Sequence, residues 1–431
     1  MQVSLERKEG LERTLRVDIP GERVQSAVDE KLGELARNVR LDGFRPGKVP
    51  VRVVRNRFGG QVRREVLGEL MQSSLQDAIA QEELRPAGTP SVEADDADDG
   101  GVTFRATFEV MPEVEVQGLT GVTIEKPVAE VTEGDVDNMV ETLRQQRRSF
   151  EEVERPAAEG DQVVIDYIGR LDGEAFEGGS GQDAPVELGA GRMLEDLEQG
   201  IVGMAAGDTR TVTVSFPEDY QASELAGQTV EFEVTAKSVR EPTLPEVDAD
   251  FARGFGIESG SLEELRSNLR ENMERELRQT LRGQVKERVL NALLEQNDIA
   301  VPSPMVDEEI GRMREQMKQR LGGQIPDERL SDEMFREEAT RRVKLGLLLA
   351  EVIRGAGLTA DAEKVRTQIE EIASSYEEPE QVTQYYYENR EALSGVEAIV
   401  VEDQAVEHLL EEAEVTEQPS DFDTVMNRNA G

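Results

Sequence analysis

Leu262, Leu265, Leu269, Met273, Leu277, Leu281, Val285, Val289 and Leu293 recur every three or four residues. That spacing puts all nine on one face of an α-helix about eight turns long. Ser261-Leu262-Glu263-Glu264 supplies its start, a capping box in which serine and glutamate side chains satisfy free backbone N–H groups. Pro302 and Pro304 end it. Further stripes predict helices over residues 305–321 (with Met313 and Met317), 335–353, 361–376, 379–387 and 396–410. Stripes this long with few aromatic anchors predict extended helical arms rather than one bundle, and such arms leave apolar surface uncovered for a client.

The rest of the chain reads as three segments, so residues 241–431 form the last of four. In residues 1–112, weak alternation over 3–19 predicts two strands with a turn at Glu9-Gly10, and Val24, Val28, Leu32, Leu35 and Val39 predict a helix. After a loop, Val51, Val54 and Phe58 begin a stripe. Gly59-Gly60 separates it from a longer helix carrying Val62, Val66, Leu70 and Ile79. Val102, Phe104, Ala106, Phe108 and Val110 alternate as a half-buried strand. Asp95, Asp96, Asp98 and Asp99 lack the spacing and terminal Glu of a calcium loop and read as a solvated hairpin tip. Residues 113–156 read as a linker containing one helix, from Asp135 to about Arg148. Residues 157–240 are β-rich, with a short helix near 192–200, and Pro242 and Pro245 follow them. The run Glu177-Gly178-Gly179-Ser180-Gly181 has no Gly-Lys-Ser/Thr after it, so it reads as a flexible loop and not a phosphate loop.

Composition excludes several chemistries. With no cysteine and the single His408, placed on a predicted helix surface, a disulfide framework, a thiolate site, a His-based triad and a zinc cluster are all excluded within one chain. No cofactor and no metal are expected. No run approaches the ~18 apolar residues of a membrane span and the N-terminus has no apolar leader core, so a cytoplasmic protein without a membrane partner is expected. The balance of 91 Asp and Glu against 49 Lys and Arg gives a formal charge of −42. Nucleic acid, DNA included, is thereby excluded as a partner except at a local patch.

One such patch exists. From Arg37 to Arg64, nine basic side chains (Arg37, Arg40, Arg45, Lys48, Arg52, Arg55, Arg57, Arg63 and Arg64) stand against the lone Asp42. At its centre Gly43-Phe44-Arg45-Pro46-Gly47-Lys48-Val49-Pro50 holds two glycines and two prolines, which cannot continue a helix. The segment reads as a docking loop between helices that meets phosphates with Arg45 and Lys48 and a small apolar pocket with Phe44.

This loop, followed by Arg57-Phe58-Gly59, resembles the ribosome-docking signature of the trigger factor family. The resemblance implies binding at Gly43, Phe44, Arg45, Pro46, Gly47 and Lys48 to ribosomal protein and rRNA of the large subunit near the exit tunnel. It also implies nascent and unfolded polypeptides as clients, and leaves a homodimer open to the free chain. The family usually carries a basic residue where Pro46 stands, so weaker or more salt-sensitive docking is expected. In the β-rich segment, Ile165-Asp166-Tyr167-x-Gly169, Asp172-Gly173-x-x-Phe176-Glu177-Gly178-Gly179, Leu188-Gly189 and Phe216-Pro217-x-x-Tyr220 are similar to the FKBP peptidyl-prolyl isomerases. The implied fold class is α+β multidomain: an α+β ribosome-docking domain, an FKBP-like β-rich isomerase domain, and an elongated all-α C-terminal domain with arms.

Rotating an X-Pro bond crosses ~18–20 kcal/mol and takes ~10–100 s unaided, yet it needs no nucleophile. A dry apolar cup suffices, because the twisted amide is less polar than the planar one. By resemblance the cup is lined by Tyr167, Phe176, Met193, Leu194, Leu197, Phe216, Tyr220 and Phe232. The family expects aromatic rings where Leu197 and Ala184 stand, and Glu195-Asp196 replaces a Pro-Gly or similar pair. A wider cup with carboxylates near its rim, and isomerase activity well below the family norm, are expected. Two other readings compete: a free prolyl isomerase whose helices form a dimerisation scaffold, and an RNA-binding protein using residues 37–64. The first leaves Phe44 and its charge cluster without a purpose. The second leaves about 350 residues unexplained and lacks base-stacking aromatics beside the basic run.

A surface this acidic and this poor in Lys suits a salt-rich cytoplasm, where screening over ~3–10 Å limits self-repulsion. The melting temperature is expected to rise from low to molar salt in a thermal scan, and equal values would refute the assignment.

Overall fold

The computed structural model describes residues 2–42, 44, 48–96, 100–171, 173–218, 220, 222, 225–322, 330–374, 376 and 378–427. They form two compact units, one of Met1–Lys126 with Gly283–Gln418 and one of Pro127–Arg282 with Pro419–Gly431.

Strands β1 (Gln2–Glu9) and β2 (Glu12–Ile19) pair around Gly10, whose φ of +54° suits a residue without Cβ. Helices α1 (Gly21–Asn38) and α2 (Val51–Gln81) follow, then β3 (Ser91–Asp96) and β4 (Val102–Glu109). The strands form an antiparallel sheet in the order β1-β2-β4-β3. Alternation sends Leu15, Val17, Phe104 and Ala106 inward, where they join Val24 and Leu32 of α1 and Val54 and Val62 of α2 in one core. The expected break at Gly59-Gly60 is absent, since α2 runs through both glycines for 31 residues. Val54, Val62, Val66 and Ala78 keep their phase across them and are buried. Each glycine costs about 1 kcal/mol against alanine, less than the about 1.5–3 kcal/mol gained by burying one such valine. Of the four aspartates read as a hairpin tip, Asp95 and Asp96 instead end β3, paired with Thr103 and Val102, and Asp98 and Asp99 lie outside the described residues.

Beyond β5 (Thr123–Val128), Thr132 and Asp135 cap each other at the start of α3 (Glu133–Gln146). The β-rich module contains β6 (Ser149–Val153), β7 (Gln162–Leu171), β8 (Glu174–Glu187), α4 (Glu195–Ile201), β9 (Thr209–Ser215) and β10 (Thr229–Thr243). Its sheet runs β6-β10-β7-β8, with β9 also paired to β10. The glycine run read as a flexible loop lies inside β8, which pairs with β7 from Leu171↔Glu174 to Gln162↔Glu187 through two register shifts. Gly178 (φ +81°) and Asp183 (φ +53°) are the irregular points of that strand.

The long stripe becomes α6 (Leu262–Gln296), 35 residues, preceded by α5 (Ala249–Gly254). The expected helices follow as α7 (Ser303–Arg320), α8 (Asp332–Ala356), α9 (Ala362–Ala373), α10 (Pro379–Glu388) and α11 (Arg390–Glu412). Several elements were not anticipated, among them β6, α5 and two after α11. Strand β11 (Glu414–Pro419) pairs with β5, and α12 (Phe422–Asn427) buries Phe422 and Val425 among Val131, Val136, Met273 and Leu277. No described helix is long and apolar enough to cross a membrane.

In the first unit, polar clamps join segments distant in sequence. Asn297, 3% exposed, accepts from the Gln117 N–H at 2.7 Å and donates to the Gln117 and Leu293 carbonyls at 2.9 and 2.8 Å. The Glu109 carboxylate accepts from Ser303 N (2.6 Å) and Oγ (2.9 Å) at the start of α7, where a helix N-terminus favours negative charge.

In the second unit, Arg155 donates to Asp161 at 2.6 and 2.9 Å and to Glu241 on β10 at 3.2 Å, and the Ala158 N–H also donates to Asp161. Burial alone would raise the Asp161 carboxyl, but the guanidinium and the amide hold it below its ordinary value. The folded pKa is depressed, so the stabilisation is present above the unfolded value and disappears as pH falls through the folded one. Wild type is therefore expected to lose stability more steeply than Arg155→Ala as the pH drops below about 4. Denaturant midpoints at pH 7 and pH 3 check this, and parallel curves would refute it.

Candidate functional site

The β-rich module builds one aromatic cluster around Phe232. On β10, Phe232 faces Gly169 of β7 and Val212 of β9. Its ring centroid lies 6.0 Å from Tyr167, 6.2 Å from Phe176 in edge-to-face geometry, and 6.5 Å from Phe216. Tyr220 meets Phe216 edge-on at 4.7 Å and stays 39% exposed. Leu197 of α4, Phe216 and Phe232 are buried in the module core, and Tyr167, Phe176, Met193 and Leu194 pack against it half-buried. Seven of the eight expected cup residues thus share one cluster, and Tyr220 reaches it through Phe216.

Bare backbone seats the rings. A Cβ on Gly169 would stand 2.7 Å from both Phe176 and Phe232, one on Gly179 would stand 2.6 Å from Phe176, and one on Gly181 would stand 2.7 Å from Tyr167. The strand glycines are therefore contact surface for the aromatics.

The two departures sit within this frame. Leu197 is 3% exposed, and Ala184 is half-buried against the same core and pairs with Ile165. Of the carboxylates, Asp196 accepts from the Ser215 N–H at 3.0 Å and Glu195 from the Gln199 side chain at 2.9 Å. Glu198 was overlooked by sequence reading. It is buried and accepts from the Gly189 and Met193 N–H groups. Its spacing carried a signal, since it stands four residues after Leu194 and three before Ile201, on the inner stripe of α4.

At the basic patch, Phe44 is 40% exposed and Lys48 is exposed, whereas Val49 beside them is buried. Gly43, Arg45, Pro46 and Gly47 lie outside the described residues. Arg55 pairs with Asp29 at 2.5 Å and Arg63 donates to the Gly100 carbonyl. Arg37, Arg40, Arg52, Arg57 and Arg64 are exposed, and among the described residues no carboxylate pairs with them or with Lys48.

The helical region keeps large apolar groups in water: Met317 and Leu321 at the end of α7, Met334 at the start of α8, and Tyr376, Tyr385 and Tyr387 around α10. A cavity of about 490 Å³ between α9 and α10 is lined by Glu370, Ala373, Ser374, Pro379, Glu380 and Thr383. Among the described residues no group of His, Asp and Glu could hold a metal ion.

Comparison with known proteins gives three family matches. Residues 1–143 match bacterial trigger factor protein, residues 153–237 match FKBP-type peptidyl-prolyl cis-trans isomerase, and residues 261–411 match the trigger factor C-terminus. Trigger factor of Thioalkalivibrio sulfidiphilus is 49% identical over 99% of this chain and 98% of its own. Those of Azotobacter vinelandii and Shewanella halifaxensis are 46% and 45% identical, covering 98% and 100% of this chain and 97% and 100% of theirs. The chain belongs to the trigger factor family of chaperones and carries that family's FKBP-type peptidyl-prolyl cis-trans isomerase domain.

Proposed function

We propose that this chaperone works docked on the large ribosomal subunit beside the exit tunnel, in the cytoplasm, with residues 1–112 as the docking domain. The exposed Phe44 amid unpaired cations carries this reading. In a chain of charge −42, a surface that keeps six basic side chains free of carboxylates is suited to rRNA phosphates, and Phe44 to an apolar notch in a ribosomal protein. Nascent and unfolded chains are held by the exposed methionines and tyrosines of residues 241–431, with residues 113–156 as a linker. Off the ribosome, the same cations face acidic surfaces of other copies, which gives the free chain a route to a homodimer.

The isomerase module, residues 157–240, binds proline in the cup of Tyr167, Phe176, Met193, Leu194, Leu197, Phe216, Tyr220 and Phe232. The rings exclude water, and the apolar environment favours the less polar twisted amide. With Leu197 and Ala184 in place of rings, the cup grips proline loosely and turnover is low.

Two experiments test these assignments. Removing one apolar anchor and one phosphate contact, each on the order of 1 kcal/mol or more, predicts at least tenfold weaker ribosome binding for Phe44→Ala with Arg45→Ala. Equal ribosome cosedimentation of wild type and variant would favour a free isomerase instead. For the cup, Leu197→Phe is expected to speed catalysed refolding of a proline-limited substrate about threefold, and Phe232→Ala to slow it about tenfold. An unchanged rate in both would remove the cup from the mechanism.

A further inference from the structure

Glu198 is 7% exposed, yet Gly189, Ala190, Gly191 and Arg192 beside it are all exposed. Its Oε2 accepts from the Gly189 N–H at 2.9 Å and its Oε1 from the Met193 N–H at 3.3 Å, while its own N–H donates to the Leu194 carbonyl at 3.2 Å. Among the described residues no Arg or Lys pairs with it. A carboxylate withdrawn from water costs free energy unless hydrogen bonds replace the lost hydration, and two backbone amides of one loop do so here. That loop turns at Gly189 (φ +84°) and Gly191 (φ +65°) and ends at Met193 and Leu194, which pack against the aromatic cluster. No neutral side chain reproduces the arrangement. An amide offers one acceptor oxygen, and an aliphatic group offers none.

We propose that Glu198 is a positioning residue of the isomerase site: its carboxylate ties both ends of the 189–193 loop and so fixes Met193 and Leu194 as one wall of the cup. The inference rests on the reading of that cup as the proline site. The wall touches proline in the planar and the twisted state alike, so loosening it weakens both equally. That is a loss of uniform binding, which appears in KM and leaves kcat in place.

The test uses the full chain as wild type, Glu198→Gln, Glu198→Ala and Phe232→Ala. Steady-state kinetics on a proline tetrapeptide are read beside amide resonances of Gly189 and Met193 and the melting temperature. With two charge-assisted hydrogen bonds removed, Glu198→Ala is expected to raise KM about fivefold with kcat within about twofold of wild type. Glu198→Gln falls between, with one of the two amide resonances displaced rather than both. Wild-type KM in both Glu198 variants while Phe232→Ala loses activity overturns the role of Glu198 alone. A loss that follows only the melting temperature, with both amides unmoved, overturns it as well. Wild-type activity in Phe232→Ala overturns the reading of the cup on which the inference rests.

Discussion

The apolar stripe of α6 is the constraint on which most of the helical structure depends. One helix supplies three separate cores in succession. Leu265 packs with Phe251 and Ile257, Met273 and Leu277 with Val136 and Phe422, and Val289 and Leu293 with Leu348 and Leu409. Each buried Leu or Val contributes about 1.5–3 kcal/mol, so stability is distributed along the helix instead of concentrated in one place. The flanks of α6 hold some of the chain's scarce cations. Arg266 and Arg270 reach Glu133, and Lys286 lies 2.9 Å from both Glu402 and Asp403. Burial alone would lower Lys286, but the two carboxylates raise it above its ordinary value. Exposed ion pairs contribute little to stability. In a chain with nearly twice as many acids as bases, their effect is to relieve repulsion where acidic helices meet.

The same scarcity bears on the proposed docking surface. Elsewhere, cations sit between two carboxylates: Lys31 is shared between Glu65 and Glu69, and Arg155 between Asp161 and Glu241. Among the described residues, Arg37 of α1 and Arg52, Arg57 and Arg64 of α2 are exposed and have no carboxylate partner. The physical reason is positional. Within residues 37–64 only Asp42 is acidic, so the local sequence withholds the partners that other segments supply.

Elements set by periodicity were legible in the sequence, and those set by tertiary contact were not. The stripes of α1, α6 and α8 and the alternation of β4 are visible because burial repeats at the period of the backbone. The glycines misled in two ways. At Gly59-Gly60 they suggested a break, but valines packed on the sheet outweigh the propensity cost. In β8 they suggested a mobile loop, but they mark where rings lie against bare backbone, which no local pattern shows. Strand β11, all of it exposed, has no apolar alternation to reveal it and exists because β5 offers it an edge. The expected cup residues come from resemblance alone, since prolyl isomerisation requires no nucleophile or metal ligand that spacing would betray.

That absence of reactive groups changes what accuracy means in the site. In a hydrolase a misplaced nucleophile abolishes turnover, whereas the proposed cup needs only apolar rings that keep water from the amide. Phe232 lies against three other aromatics and Gly169 of β7, while Gly179 and Gly181 of β8 seat Phe176 and Tyr167, so the ring stack is tightly packed. The 189–193 loop, exposed over 189–192 and with two glycines at positive φ, is tied by hydrogen bonds to Glu198 and packs on the cluster only through its end at Met193 and Leu194. If the proposed cup binds proline, one packed wall and one tethered wall would admit prolines in many sequence contexts, because the tethered side yields to bulky neighbours while the ring stack keeps water from the amide. On the proposed reading, weak grip and broad acceptance then share one cause.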